Sequence, residues 1–99
     1  MVGHESLEVR RFVVLSTGHL TEETAHNLDH LKVGDWPVCG GHFSTYGWFM
    51  WVVPAQEHAD ADLPADLRTV FKFCDDHGFG YVLFDCDAAL VEGLPCYDW

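Results

Sequence analysis

The chain has 99 residues, of which 16 are acidic and five are lysine or arginine, so its formal net charge is -11 at pH 7. Hydrophobic residues make up 48% of it and aromatic residues 14%. Disordered acidic chains are poor in both, so this composition excludes a disordered tail and predicts one folded acidic domain over residues 1–99. The charge disfavours direct binding to nucleic acid or to an anionic membrane, and favours a basic partner.

The location of the protein is predicted from what the sequence lacks. No stretch contains the roughly 20 apolar residues of a membrane helix, and the first residues, MVGHE, lack the basic and apolar regions of a signal peptide. The four cysteines form no CxxC pair and are expected to be free thiols in a reducing compartment. We therefore expect a cytoplasmic protein.

The first predicted elements are a strand and a helix. Residues 7–16, LEVRRFVVLS, are apolar on both alternating faces, which is typical of a strand in the middle of a sheet. Thr21 then begins a predicted helix, TEETAHNLDHLK, with Glu22 and Glu23 in the first turn, where the helix dipole favours acidic groups. Gly34 ends this helix.

An aromatic run, YGWFMWVV at residues 46–53, predicts the next strand. The Gly40-Gly41 pair indicates a turn or loop, and a short partner strand within residues 38–45 would complete a hairpin. Because strand side chains alternate, both faces of the aromatic run are apolar. The second face therefore requires a cover, which is a partner, a second copy, or loop 33–45 together with the aromatic tail.

Pro64 lies near the start of a second predicted helix, followed by a last strand at residues 80–86. Apolar side chains recur along this helix at the spacing of one face: Leu67, Val70, Phe71 and Cys74. With the hairpin, the order βαββαβ predicts an α+β fold, a ferredoxin-like sandwich with two helices on one face of a mainly antiparallel sheet. Without the hairpin, the alternative is a small three-stranded α/β sheet.

Negative charge is concentrated on the first helix and on the loop before the second. A helical wheel of about 100° per residue places Leu28 and Leu31 inward and the charged residues outward. We predict a partner-binding surface made of Glu22, Glu23, His26, Asp29, His30, Glu57, Asp60 and Asp62. A DNA duplex as long as this domain carries about 19 phosphates, of which roughly half face one way. The net excess of eleven acidic residues is comparable to that half. The surface would thus imitate nucleic-acid phosphates; the alternative is a solubilising coat.

A catalytic reading rests on Asp85-Cys86-Asp87, which follows an apolar strand. It resembles the DxD nucleophile motif of haloacid-dehalogenase-type phosphatases, which also require Mg²⁺, an activating lysine and a further acidic motif. No lysine follows Asp87. A small metal-dependent hydrolase that uses Asp85 and Asp87 therefore remains the alternative, and we predict a protein that is not an enzyme.

Metal binding has two partial patterns. His26 and His30 are spaced i, i+4 on one helix face, and Cys39 and His42 have C-x-x-H spacing. Neither pair completes the four ligands of a structural zinc site. The sequence therefore predicts no metal and no cofactor.

Four segments carry a resemblance to a known family: residues 15–21 (LSTGHLT), 46–49 (YGWF), 84–88 (FDCDA) and 94–99 (LPCYDW). On these segments the chain resembles a family of small acidic bacterial proteins, often met on plasmids and integrative elements, that has no established activity. Mobile elements commonly carry acidic proteins that occupy the nucleic-acid grooves of host defence complexes, as some anti-CRISPR and antirestriction proteins do. The resemblance implies a non-enzymatic inhibitor of the anti-CRISPR type, whose partner is a basic subunit of a CRISPR interference complex. A homodimer formed through the aromatic sheet face is a further alternative.

Overall fold

A computed structural model describes residues 6–99 of the chain. Its main elements are β1 (Phe12–Ser16), α1 (Glu22–His30), β2 (Gly40–Phe43), β3 (Gly47–Trp51), α2 (Ala65–Asp76) and β4 (Tyr81–Asp85). The strands form one sheet in the order β1-β4-β3-β2. β1 is parallel to β4, whereas β3 is antiparallel to both β4 and β2. The predicted α+β fold is therefore confirmed, and the arrangement is compatible with a ferredoxin-like fold.

The β2–β3 hairpin is present, so the three-stranded alternative is wrong. β3 begins at Gly47, where the backbone approaches β4 very closely. A Cβ atom at Gly47 would lie only 1.8 Å from the carbonyl oxygen of Phe84. A glycine at this position is what allows the two central strands to pair.

α1 begins at a side-chain cap and ends earlier than predicted. Thr21 caps it, because its Oγ1 accepts a hydrogen bond from the backbone N–H of Thr24 at 3.2 Å. The helix ends at His30, and Leu31 leaves helical geometry with φ -74° and ψ 147°. Leu28 is buried, but Leu31 is 42% exposed, so its predicted inward position is wrong. Within the described residues, neither helix has the length and apolar character that a membrane span requires.

Both helices contribute to a core on one side of the sheet. Alternation along β3 and β4 places four buried side chains on this side: Trp48, Met50, Val82 and Phe84. The predicted inward face of α2 is confirmed, because all its members are buried: Leu67, Val70, Phe71 and Cys74. Trp36, in the loop after α1, joins this core and donates its Nε1–H to the carbonyl of Leu28 at 3.2 Å.

Within residues 6–99, no helix packs on the opposite side of the sheet. The register places Phe12 of β1, Tyr81 of β4 and Trp51 of β3 side by side on this open face. Phe12 and Trp51 are 51% and 58% exposed. β1 is an edge strand and not the central strand that was predicted. Both sides of β1 are apolar for a different reason: one side packs against the core, and the other belongs to the apolar open face.

Candidate partner-binding surface

The predicted residues of α1 form one exposed surface of the helix. Glu22 and Glu23 are exposed in its first turn, and His26 and His30 are exposed in its second half. The two imidazole rings stack, with centroids 4.0 Å apart and an interplanar angle of 22°. Nδ1 of His30 donates to the backbone carbonyl of His26 at 2.8 Å. Nδ1 of His30 is therefore occupied by a hydrogen bond within the helix.

Asp29, the remaining predicted residue of α1, has an internal partner. Its Oδ1 accepts a hydrogen bond from Nε1 of Trp48 at 3.1 Å. This bond ties the exposed side of α1 to β3. Asp29 also lines a cavity of about 210 Å³ with Trp48, Cys86 and Trp99. Its carboxylate therefore has a structural role in addition to its place on the acidic surface.

A groove of about 510 Å³ runs between α1 and the segment that precedes α2. Four leucines contribute to its lining: Leu28, Leu31, Leu63 and Leu67. Three carboxylates also line it: Glu23 of α1, Asp62 before α2, and Asp35 from the loop after α1. All three are exposed. We call this the acidic groove; it offers apolar surface for an aliphatic stem and oxygen acceptors for a cation.

Asp35 is a residue of the groove that sequence reasoning missed. It lies in the short 3-10 helix Val33–Asp35, outside every predicted element. Only the fold places it with Glu23 and Asp62, since the three residues are distant in sequence.

Glu57 and Asp60 do not line the acidic groove. They lie in the 3-10 helix Ala55–Glu57 and the turn after it. This segment is held beside the C-terminal half of α2, because Asp75 accepts a hydrogen bond from the backbone N–H of Ala55 at 3.1 Å. The ring of His58 lies 6.5 Å from that of Phe71. The structure thus brings Asp62 to α1 but leaves Glu57 and Asp60 on a separate exposed turn.

Asp66 joins the starts of the two helices, and its carboxylate is engaged within the protein. Its Oδ2 accepts hydrogen bonds from the backbone N–H and the hydroxyl of Thr21, at 2.8 and 3.1 Å. Its Oδ1 accepts one from the hydroxyl of Thr24 at 2.9 Å. The carboxylate is buried, so these bonds hold the start of α2 against the start of α1.

A buried histidine attaches the C-terminal segment to the body of the domain. Nδ1 of His19 donates to the carbonyl of Pro95 at 2.8 Å. Nε2 accepts from the backbone N–H of Val91 at 2.9 Å, so the ring is the neutral tautomer with its proton on Nδ1. Sequence reasoning did not single out His19, because a lone histidine after a strand carries no signal of its own.

The tail is held at two further points. The backbone N–H of Tyr97 donates to the carbonyl of Gly18 at 2.9 Å. The indole N–H of Trp99 donates to the carbonyl of Leu20 at 2.8 Å. Residues 91–99, here called the C-terminal clasp, therefore contact the loop between β1 and α1. The clasp does not cover the open face, so within residues 6–99 neither the tail nor loop 33–45 supplies the cover that was considered.

Asp85 is the last residue of β4, and Cys86 and Asp87 lie in the turn that follows it. Their ligand atoms lie within 4.8 Å of one another, and Oδ1 of Asp85 accepts the backbone N–H of Asp87 at 2.9 Å. Partial desolvation, followed by the charges of Asp87 and Asp85, raises the pKa of the Cys86 thiol. A raised pKa is the opposite of what a nucleophilic cysteine requires.

The match to a family model covers almost all of the described fold. The model for the C-terminal domain of a family of unknown function, DUF5983, matches residues 12–99. The chain belongs to this family. No curated protein and no solved structure gives a significant match. The DUF5983 match begins at the first residue of β1 and includes the acidic groove, the open face and the C-terminal clasp.

Proposed function

We propose that the protein is a non-enzymatic inhibitor that binds the basic, nucleic-acid-binding surface of another bacterial protein. The observation that supports this function is the acidic groove, with its leucine lining and its three carboxylates. An arginine or lysine side chain fits such a groove, because its stem packs on leucine while its charged end bonds to carboxylates.

The acidic surface extends beyond the groove. Glu22 and Asp29 continue it along α1, and both are exposed. Nucleic-acid-binding proteins hold phosphates with arginine and lysine side chains, so a protein that offers carboxylates competes for the same groups. The net charge of -11 would make this association fast and sensitive to salt. In a bacterial cell that carries a CRISPR interference complex, such a protein would act in the cytoplasm as an anti-CRISPR inhibitor and DNA mimic.

The test is competition. The purified protein is added to a CRISPR interference complex or to a restriction enzyme, and binding of labelled target DNA is measured at low and at high salt. We expect DNA to be displaced at low salt and displacement to weaken as salt screens the charges. DNA binding that is unaffected in each defence complex tried would contradict the proposed partner class.

Charge variants locate the contact. Glu23→Gln with Asp62→Asn removes two charges from the acidic groove, and Glu92→Gln with Asp98→Asn removes two exposed charges elsewhere. The groove pair should weaken binding about tenfold or more, because two charge-assisted bonds are lost. The control pair should change it less than about threefold. A third pair, Glu57→Gln with Asp60→Asn, tests the separate turn. Equal losses from all three pairs would identify the charge as a solubilising coat.

The hydrolase alternative has one supporting observation, the proximity of the ligand atoms of Asp85 and Asp87. Phosphatase and nuclease assays with Mg²⁺ or Mn²⁺ test it, with Asp85→Asn as the diagnostic variant. We expect no turnover. Turnover in the unmodified chain that is lost in Asp85→Asn would replace the inhibitor proposal with an enzyme.

A further inference from the structure

The open face of the sheet is a continuous aromatic surface. Six side chains from three strands make up most of it: Phe12, Val14, Phe49, Trp51, Tyr81 and Leu83. The ring of Phe49 lies 5.8 Å from Phe12 and stacks on Tyr81 at 5.5 Å, and Tyr81 meets the edge of Trp51 at 5.7 Å. Contiguous apolar patches of this kind mark interaction sites, unlike hydrophobic residues scattered singly on a surface.

The area of the open face is close to what a stable interface needs. Phe12, Val14 and Trp51 are 51%, 44% and 58% exposed. With aromatic side chains that bury about 150–250 Å² each, the face offers on the order of 500 Å² per copy. Two copies would bury about 1,000 Å² in total, the lower limit for a specific interface.

Charged groups lie at opposite ends of the open face. Arg10 precedes β1 by two residues, at the end of the sheet where Phe12 pairs with Tyr81, the first residue of β4. Asp85 ends β4, where it is paired in register with Ser16 at the far end of β1. Arg10 has one described ion-pair partner, the exposed Glu8, and Arg11 adds a second positive charge at this end. The two ends therefore carry opposite net charge.

This polarity makes the open face complementary to itself. If a two-fold axis lies between two sheets and perpendicular to their strands, β1 of one copy runs opposite to β1 of the other. Arg10 of each copy then lies over the end that holds Asp85 of its partner, and the same pairing occurs twice, as an isologous interface requires. Because sheets are twisted, two sheets that pack face to face in this way have strand directions about 30° apart.

We infer that a second copy of this chain covers the open face, through an isologous dimer in which two aromatic sheet faces stack. The inference is independent of the proposed function, because the acidic groove lies on the helix side of the sheet. The dimer would present two acidic grooves, one on each outer side. An interface at this lower limit of area belongs to the weak class, so the dimer should dissociate on dilution.

Single-stranded RNA is the other occupant that an aromatic four-stranded sheet accepts, since bases stack on such rings. The net charge of -11 opposes phosphate binding, and within the described residues only two basic side chains, Arg10 and Arg11, are next to these rings in sequence. The observations thus favour the second copy, and RNA binding becomes an outcome of the test.

The first experiment is sedimentation equilibrium of the full chain over a range of concentrations. We expect a monomer–dimer equilibrium between 11.2 kDa and twice that mass. Leu83→Lys places a charge at the centre of the open face and should raise the dissociation constant at least about 100-fold, since each dimer would bury two unpaired ammonium groups. The control is Leu90→Lys, the same substitution at an exposed leucine outside the face, which should change it less than about threefold. A monomer at all concentrations would overturn the inference.

The second experiment uses salt and a charge exchange. Two copies of an acidic domain repel each other at long range, so the dimer should tighten as salt rises from about 10 to 150 mM and the Debye length falls from about 30 to 8 Å. Binding at the acidic groove should weaken over the same range, which separates failure of one proposal from failure of the other. Arg10→Glu should weaken the dimer and Arg10→Glu with Asp85→Lys should restore it. No restoration, or a monomer that binds labelled oligouridylate, would overturn the stacked dimer.

Discussion

The same strands form both sides of this sheet, but the aromatic side chains are buried on one side and exposed on the other. On the helix side, Trp48 is 3% exposed and its indole N–H bonds to Asp29 at 3.1 Å. On the open side, three residues later, Trp51 is 58% exposed and meets only the edge of Tyr81 among the described rings. Among residues 6–99, every buried side-chain nitrogen or oxygen has a hydrogen-bond partner. Aromatic content alone therefore does not distinguish the core from the exposed face of the sheet, whereas burial and polar partners do.

The largest expected difference between the two sides comes from matched tryptophan substitutions. Trp48→Ala should lower the free energy of unfolding by about 4 kcal/mol, because it opens a cavity and removes the bond to Asp29. Trp51→Ala should lower it by about 1 kcal/mol or less, because more than half of that side chain is already exposed. Urea denaturation at low protein concentration measures both. Similar losses would mean that Trp51 is as firmly packed as Trp48.

The second prediction concerns the joint between the helices on the covered side. Asp66→Ala should cost about 3 kcal/mol, because it removes three hydrogen bonds to a buried carboxylate and leaves donors of Thr21 and Thr24 without partners. Asp62→Ala, four residues earlier and exposed, is the control and should change stability by less than about 0.5 kcal/mol. Equal effects in urea denaturation would contradict the structural role of Asp66.

The C-terminal clasp gives a third, smaller effect. His19→Ala should cost about 2 kcal/mol, since the N–H of Val91 and the carbonyl of Pro95 both lose their partner. Limited proteolysis should then cut within residues 91–99 more rapidly. The control is His30→Ala, at an exposed histidine whose Nδ1 bonds only within α1. A clasp equally resistant in both variants would argue against its dependence on His19.

Near neutral pH, the smallest effects are those of the cysteines. Burial raises the pKa of the Cys74 thiol to about 12. In the unfolded chain this thiol ionises near pH 9, so its contribution to stability is complete below that pH. The contribution should be lost as pH rises toward 12, by up to about 1.4 kcal/mol per pH unit. The pH dependence of urea denaturation in the chain and in Cys74→Ala measures this slope; the same slope in both would exclude Cys74 as its origin.

Alkylation compares the exposed thiol of Cys86 with the buried thiol of Cys74. Cys86 should react slowly near pH 8, because its pKa is raised by partial desolvation and by the charges of Asp87 and Asp85. Asp87→Asn removes one of those charges, lowers the pKa and should speed the reaction. Cys74 should stay unreacted until the protein unfolds, since it is buried. A rate at Cys86 that Asp87→Asn leaves unchanged would rule out this electrostatic effect.

Much of the fold was predictable because local patterns determine it. Thr21 was recognised as a helix start from its position before Glu22 and Glu23, and it caps α1. The inward face of α2 followed from spacing alone. What local patterns could not give is the identity of a strand's neighbours. β1 has two apolar sides, and the sequence cannot distinguish burial between strands from an uncovered apolar face.

The candidate site was predictable only in part, for a related reason. The exposed residues of α1 were identified because a helix has a fixed period. The groove also requires Asp35 and Asp62, which come from two irregular segments whose positions depend on the core around Trp36 and Leu63. Glu57 and Asp60 are close to Asp62 in sequence, which is why the prediction places them on the same surface. In the structure their segment lies beside the C-terminal half of α2, and only Asp62 lines the groove.

The position of β4 has a consequence for when the chain can fold during its synthesis. β4 lies between β1 and β3, and the paired residues Phe12 and Tyr81 are far apart in the sequence. Until residues 81–85 have left the ribosome, β1 has no neighbour and the β2–β3 hairpin has only itself, which is marginally stable at best. Nascent chains that end before Tyr81 should therefore remain sensitive to protease, and folding should be a late, cooperative event limited by the closure of a long loop.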